Sequence, residues 1–463
     1  MISYKIDFTD GAKVTLKNGI KDKYDIIFTD NDTNQIIYKT SILPNSWAKT
    51  NQIYYKNWNI KIINHGKIIT DYNINLKGKK VLIKFQSSSL GDSLAWIPYV
   101  EEFRKKHNCK LYCSTFMNSL FEKEYDKIKF INPNTIPHDT FAIYHLGWFL
   151  PFDNKNPQDY KKIPLQQTAS DILGLEFKEI KPKITNPYSD KKKSGKKYVC
   201  LAEFSTANAK HWHYPTINNN KGWQELVNWL NYNNYDVMVI SKQKTHLKNI
   251  IDRTGDYPLE FRMFEIQNSE FFIGIGSGLS WLAWTLNKKV IMISGFSDPL
   301  CEFKSDNIRI INKNVCNSCF NKYEFDRGDW NWCPEHKNTD RQFECTTQIT
   351  PNMVINKIIE NKLIDNPKQI IKNNIKLNSN DIDIEYIKNE KKIIIKYKNR
   401  IPIDNVHINI KDGNDNILKT FKNSRLDNNH IIWASFNKIN TNKFIIDFFN
   451  EQLLLNYTIN LAK

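Results

Sequence analysis

The sequence has no run approaching the roughly 18 consecutive apolar residues of a helical membrane span, so none is expected within it. No secretory signal is visible either, and none is expected: Met1-Ile-Ser-Tyr-Lys-Ile-Asp7 alternates and has no apolar core region. Eight cysteines in 463 residues, with no leader, read as thiols or metal ligands rather than a disulfide framework. The expectation is a cytoplasmic protein. Acidic residues are outnumbered, 49 against 66 Lys+Arg, giving a net charge of +17. That balance suits nucleic acid, an anionic membrane surface or phosphorylated substrates. The lysines are spread along the chain among many Asn and Ile, so much of the charge is solvated surface. What is present supports a sizeable core: 40% of residues are hydrophobic, and the length as a prior suggests about three units.

Residues 1–76 read as a small antiparallel β domain. Tyr4, Ile6 and Phe8 alternate up to the turn signal Asp10-Gly11, and Val14 and Leu16 follow in the same period. Tyr24, Ile26 and Phe28, then Trp58, Ile60, Ile62 and Ile63, continue the pattern. Residues 77–187 form the next unit, and at Lys79 the period changes. Val81–Phe85 is a buried-type strand, a helix is expected from Ser93 to about Lys106 with Pro98 kinking or restarting it, and strands at Lys110–Cys113, Ile128–Ile131 and Phe141–Tyr144 alternate with helical segments. Ser170–Leu175 reads as a short helix ending at Gly174. This is the pattern of a parallel sheet covered by helices. The basic, Pro-containing stretch Lys178–Lys197 reads as a linker; as a nucleic-acid patch it is poor, being short and carrying a single aromatic, Tyr188, to stack on bases. After it, in residues 188–365, the α/β pattern restarts: strand Tyr198–Ala202, a helix face of Trp223, Leu226, Val227 and Leu230, then strands Val237–Ile240 and Val290–Ser294. Two such Rossmann-like units imply a cleft at the carboxyl ends of their strands, where ligands bind. Residues 366–463 alternate again (Ile382, Ile384; Ile401, Ile403; Val406, Ile408, Ile410; Asp412-Gly413) and read as a β-sandwich-like domain.

Three stretches could carry chemistry. In Phe271-Phe-Ile-Gly-Ile-Gly-Ser-Gly-Leu-Ser-Trp-Leu-Ala-Trp284 a strand runs through a glycine turn into a helix. Free N–H groups and the positive dipole end at such a helix start form an anion site, to which Ser277 and Ser280 can add hydroxyls. The alternative is that the glycines serve packing alone. Asp92, in Ser87-Ser-Ser-Leu-Gly-Asp-Ser93, follows the first buried strand, where a carboxylate could take a proton from an attacking hydroxyl or simply cap the helix. In Phe204–Pro215, Ser205 and Thr206 lie at a strand's carboxyl end, and Lys210 could neutralise a leaving diphosphate. His211 and His213 lack a third ligand nearby and make a poor metal pair.

The most specific signal is Cys316-x2-Cys319-x13-Cys333-x11-Cys345, in a segment (314–347) with little regular structure. Four thiolates at this spacing make a closed structural site, for zinc by default or for iron. Cys109, Cys113, Cys200 and Cys301 read as core residues.

Lys210-His-Trp212 and Gly274-Ile-Gly-Ser-Gly-Leu-Ser-Trp-Leu-Ala283 resemble the nucleotide-sugar motifs of lipopolysaccharide-type heptosyltransferases of GT-B fold. Ser89-Leu-Gly-Asp-Ser-Leu-Ala-Trp96, Pro98-Tyr-Val-Glu-Glu-Phe-Arg104, Thr168-Ala-Ser-Asp-Ile-Leu-Gly174 and the four-cysteine insertion bring the chain closer to the bacterial autotransporter heptosyltransferases, over about residues 1–350. The resemblance implies a GT-B glycosyltransferase with two Rossmann-like domains, flanked here by the two β domains. It further implies inverting transfer of heptose from ADP-glycero-manno-heptose to serine hydroxyls of an adhesin-type autotransporter protein. Asp92 matches the family's general base. Lys210 matches the lysine at the donor phosphates, and Gly276, Ser277, Gly278 and Leu279 fall on the diphosphate turn. Iron replaces zinc as the metal expected in the cysteine site, no catalytic metal is needed, and a homo-oligomer is expected. The lipopolysaccharide enzymes carry Asp-Thr-Gly and a histidine in the phosphate motif, where this chain has Gly276-Ser-Gly278 and Trp281. Two other readings are weighed: a GT-B enzyme using another nucleotide sugar, such as a UDP-sugar, and a non-enzymatic metal finger binding nucleic acid. The dispersed charge speaks against the second.

Overall fold

A computed structural model of the protein describes residues 2–18, 22–191, 195–214, 221–326, 328–329, 331–367, 382–387, 389–398, 403–412, 414, 416–426, 431–436, 443–450 and 452–460. Strands β1 (Ser3–Asp7), β2 (Lys13–Lys17), β3 (Tyr24–Asp30), β4 (Gln35–Ile42), β5 (Trp47–Lys49), β6 (Trp58–Asn64) and β7 (Lys67–Asn73) open the chain. They form two antiparallel sheets, β1-β2-β5 and β4-β3-β6-β7. The period-2 pattern decides the faces: Tyr24, Ile26 and Phe28 are buried, with Ile26 opposite Ile62 and Phe28 opposite Ile60.

Next come β8 (Lys80–Phe85), α1 (Leu90–His107), β9 (Lys110–Ser114), α2 (Asn118–Phe121), β10 (Lys129–Phe130), β11 (Ala142–Leu146) and α3 (Leu165–Ile172). Their sheet is parallel, in the order β10-β9-β8-β11. Phe8 bridges to Ala142 and ties the first β segment to this sheet.

The second α/β segment holds β12 (Tyr198–Ala202), α4 (Lys221–Tyr232), β13 (Asp236–Val239), β14 (Ile251–Asp252), α5 (Leu259–Gln267), β15 (Phe272–Ile275), α6 (Gly278–Thr285), β16 (Val290–Ile293) and β17 (Asn307–Ile310). A six-stranded parallel sheet results, ordered β14-β13-β12-β15-β16-β17. Its central strands read as continuous apolar runs because helices cover both faces, and all five residues of β12 are buried. After the cysteine-containing loop, with α7 (Cys319–Lys322) and α8 (Glu344–Thr347), α9 (Pro351–Glu360) buries Val354, Ile355 and Ile358 beside Trp223 and Leu226 of α4.

Four boundaries differ from expectation. Helix α1 starts at Leu90, with Ser89 at the N-cap, so Asp92 lies inside the first turn and is not the cap residue. The helix also runs through Pro98 without a restart. An interior proline costs about 3 kcal/mol, but Leu94, Trp96, Ile97, Val100 and Phe103 are all buried, at roughly 1.5–3 kcal/mol each. Packing therefore outweighs propensity. Helix α3 begins at Leu165, directly after Pro164, and ends at Ile172, so the expected Ser170–Leu175 helix overlaps only its last turn. The strand expected at Ile128–Ile131 shortens to Lys129–Phe130.

Residues Met1–Pro367 form one compact unit and Lys368–Lys463 a second. In the second, β18 (Ile382–Ile387), β19 (Lys392–Tyr397), β20 (Ile403–Lys411), β21 (Ile417–Leu426), β22 (Ile431–Ser435), β23 (Lys443–Asn450) and β24 (Gln452–Asn460) make two antiparallel sheets, β18-β19-β22 and β21-β20-β23-β24. Ile393 and Ile395 of one and Ile408, Ile410 and Phe444 of the other share a core, the arrangement of a β-sandwich. Ile401 and Gly413, Lys192, Lys193 and Ser194 of the basic linker, and Pro215 lie outside the described residues.

Candidate active site

The loops that follow β8, β11, β12, β15 and β16 converge on one cavity of about 220 Å³ between the two parallel sheets. Ser89, Gly91 and Asp92 come from the start of α1, Trp148 from the loop after β11, and Lys210 from the loop after β12. Gly276, Ser277 and Gly278 form the turn into α6, while Ser297 and Glu302 follow β16.

The starts of α1 and α6 are in close contact. A Cβ on Gly278 would lie 3.0 Å from Leu90 Cβ and 3.2 Å from the Gly91 nitrogen, so only glycine lets the two backbones approach this far. Both helices thus present their positive ends to the cavity, a setting that favours anions. Neither Ser89 nor Ser277 caps its helix through its side chain. The Ser277 hydroxyl is buried without a partner among the described residues. The Ser280 hydroxyl, by contrast, donates to Ile275 O at 2.7 Å and is not available to a ligand.

Asp92 is buried, and its Oδ2 accepts the Trp148 indole N–H at 2.7 Å. Lys210 is half-buried on a short 3-10 turn (Asn208–Lys210), with its Nζ 5.7 Å from the Phe296 ring centroid. Trp281 donates its indole N–H to Glu302 Oε2 at 3.0 Å. Glu302 Oε1 would stand 3.0 Å from a Cβ on Gly276. The half-buried Arg309 guanidinium donates to Ser297 O at 2.6 Å and to Ser297 Oγ at 3.1 Å.

Of the residues expected to bind donor, Lys210, Gly276, Ser277 and Gly278 line this cavity together with Asp92. Thr206 lines an adjoining pocket with Asn208, Phe325 and Trp332. Ser205 lies outside both, its hydroxyl donating to Ala207 O at 3.2 Å, and Leu279 packs against the core. His211 Nε2 sits 3.1 Å from the Ser205 backbone nitrogen within its own loop, whereas His213 Nε2 sits 3.0 Å from Ile349 O, beyond α8. Sequence reasoning missed Trp148, Glu302 and Phe320. The first two follow parallel strands at their carboxyl ends, a signal that could have found them.

The cysteine loop borders the cavity. Phe320 and Phe325 from this loop line it, and Cys319 and Cys333 pack with Phe296, Trp332 and Phe343 in a small core. Burial pushes the Cys319 thiol up to about 11 and the Cys316 thiol up to about 12. Burial, then the charges of Cys316, Cys319 and Cys333, raise Cys345 as well, so the four sulfurs share one neighbourhood. A cation there would supply the charge that stabilises the thiolates, and the donor set fits zinc or iron. Cys316, His336 and Glu344 also bring ligand atoms within 4.8 Å of one another. Glu344 is already engaged, accepting from Arg341 at 2.9 and 2.6 Å and from the Cys316 nitrogen at 3.1 Å. Cys109, Cys113 and Cys200 are core residues, whereas buried Cys301 belongs to the cavity wall.

Two Rossmann-like parallel sheets with a site on the carboxyl ends of both define a GT-B glycosyltransferase. No protein-family model matches the chain. It is 35% identical over 368 residues to the autotransporter heptosyltransferase BAHTCr of Citrobacter rodentium, covering 75% of this chain and 86% of that protein. Against the autotransporter heptosyltransferase Aah of Escherichia coli it is 36% identical over 365 residues, covering 75% and 90%. The crystal structure of TibC from enterotoxigenic E. coli H10407, an iron-containing dodecameric glycosyltransferase, matches with a TM-score of 0.71 at 33% identity, over 78% of this chain and 95% of that one. TibC has also been crystallised with ADP-D-beta-D-heptose. This chain belongs to the autotransporter heptosyltransferase family. No helix among the described residues is long and apolar enough to cross a membrane.

Proposed function

We propose that the protein transfers heptose, with inversion, from ADP-glycero-manno-heptose to serine hydroxyls of an adhesin-type autotransporter protein in the cytoplasm. The observation that carries this reading is the meeting of Asp92, Lys210 and the uncapped 276–278 turn in one cavity, in a member of this family. Asp92 takes the proton of the acceptor hydroxyl, whose oxygen forms the new bond to the anomeric carbon. The bond from that carbon to the phosphate oxygen breaks on the opposite face and ADP departs. Lys210, Ser277 and the N–H groups at the start of α6 hold the diphosphate and its developing charge, so the step needs no catalytic metal. In this reading the acceptor-side domain is 77–187 and the donor domain 188–365, and 1–76 and 366–463 are separate β domains. Cys316, Cys319, Cys333 and Cys345 hold a structural iron, with zinc as the alternative, and the protein assembles as a homo-oligomer.

Intact-mass analysis of an acceptor co-expressed with the enzyme tests the reading. One added heptose residue per modified serine is expected, and Asp92→Asn should abolish the increment while leaving ADP binding and folding intact. Near wild-type modification by Asp92→Asn would sink the assignment of the base. A UDP-sugar donor is the competing reading, favoured by Trp281, paired with Glu302, standing where the lipopolysaccharide-type heptosyltransferases carry a histidine. A different mass increment would reveal it.

A further inference from the structure

We propose that Trp148 positions Asp92, and that the cysteine loop holds Trp148 in place through Phe320. The inference rests on the reading of Asp92 as the base. An aspartate carboxylate rotates in a broad, shallow well, so burial on a helix does not by itself fix the direction of its lone pairs. An indole N–H is a donor only, and at 2.7 Å from Oδ2 it makes a short charge-assisted bond that selects one orientation and favours the ionised form.

Trp148 stands in irregular backbone beyond β11, so its ring must be held from outside. Tyr160 meets it edge to face at 5.1 Å and 86°, and Phe320 meets it at 6.1 Å and 88°. Phe320 directly follows Cys319, and its N–H donates to Phe296 O at 3.1 Å. Asn321, the next residue, donates to Lys161 O at 2.5 Å and accepts from the Asp298 nitrogen at 2.8 Å. The loop is therefore stitched both to the donor-side sheet and to the Tyr160–Lys162 turn on the acceptor side. Its fold sets where Phe320 stands, Phe320 and Tyr160 set Trp148, and Trp148 sets the carboxylate. A loop with no open position for substrate would in this way still govern the base.

Asp92 shares the cavity with the titratable groups of Lys210, Glu302, Tyr160 and Cys301, all of which remain in a Trp148→Phe variant. That variant keeps an aromatic ring but loses the N–H together with part of the ring's volume, so the pH profile, which follows the lost hydrogen bond, and not kcat alone is the deciding readout. In the full-length protein we expect kcat to fall by roughly 10- to 100-fold, as when the partner that orients a reacting group is lost. Activity requires the ionised carboxylate, and the lost bond favoured that form. The acid limb of the kcat–pH profile should therefore move upward by about one pH unit. ADP affinity by calorimetry and metal content should stay within twofold of wild type.

Phe320→Leu keeps the N–H but loosens the ring, and should move the limb the same way by a smaller amount. A Trp148→Phe enzyme with an unmoved acid limb overturns the proposal, whether or not its kcat falls. If Trp148→Phe does not fold, Phe320→Leu decides, and a wild-type limb there overturns the proposal equally. Asp92→Asn separates this from a failure of the base assignment. An active Asp92→Asn refutes the base, whereas an inactive one beside an unmoved Trp148→Phe profile refutes only the positioning role.

Discussion

Gly295, two residues beyond β16, is where the cysteine loop docks on the six-stranded sheet. Its carbonyl accepts the Ser318 N–H at 2.8 Å. A Cβ at Gly295 would lie 2.1 Å from Cys345 O and 2.8 Å from Cys345 C. Ordinary contact needs roughly 3.5 Å, so Gly295→Ala must push the facing backbone segments apart by about 1.4 Å. No side chain can rotate away, because both partners are main chain. Overpacking a well-packed interior typically costs 1–3 kcal/mol, and a backbone collision belongs at the upper end, about 3 kcal/mol. For a unit of this size that is about 4 °C in Tm. The displacement also draws Cys345 away from the other three thiols, so any metal they hold should be lost. Calorimetric melting of the full-length protein, with elemental analysis of the same sample, measures both effects. A Gly295→Ala protein with wild-type melting temperature and metal content would refute the reasoning.

Two further outcomes follow from the wall of the cavity and from the core. Ser277→Ala should weaken ADP binding several-fold in calorimetry, whereas Ser280→Ala should lose about 1 kcal/mol of stability with the hydrogen bond to Ile275 and leave ADP affinity unchanged. Equal effects of the two on ADP affinity would contradict the assignment. Glu203 is fully buried at the end of β12, and burial pushes its carboxyl up from 4.5 to about 7, only partly offset by nearby Thr245. Between those two values the native state holds a proton that the unfolded chain has released. Stability should therefore fall as pH rises through that window, by about 3 kcal/mol at most. Glu203→Gln should flatten this slope and melt higher than wild type at pH 8, and parallel pH–melting curves for the two proteins would rule the account out.

The sequence made the alternation of strand and helix legible where one period held for several residues. Tyr24, Ile26 and Phe28 mark a half-buried strand, and Trp223, Leu226, Val227 and Leu230 mark one helix face; all are buried as the periods require. Local signals misled where tertiary packing overrode them. Pro98 argued for a break in a helix whose flanks are buried on every turn, and Leu90-Gly91 looked like loop although Gly91 is small because α6 lies against it. The candidate site was half legible. Asp92, Lys210 and Gly276–Gly278 stand out through glycine turns and strand ends. Trp148, Glu302 and Phe320 are defined by partners 56, 21 and 172 residues away, and no local pattern encodes such pairings.

The glycine turn allowed two explanations, phosphate binding and packing, and the two divide cleanly between residues. Gly278 and Gly91 are accounted for by packing, since a methyl on either would press into the facing helix start, Leu90 and Gly91 in one case and Trp281 in the other. Ser277 is not. A buried hydroxyl with no partner costs roughly 1–3 kcal/mol, and the close backbone contact could have been made with a residue carrying no such penalty. The cost has a physical rationale if a ligand acceptor satisfies that hydroxyl in the working enzyme. Packing of α1 on α6 then does more than stabilise the fold: it joins the helix that carries Asp92 to the turn proposed to receive the donor. On the proposed mechanism, the base and the diphosphate site would then be held in register by this direct contact between the two helix starts.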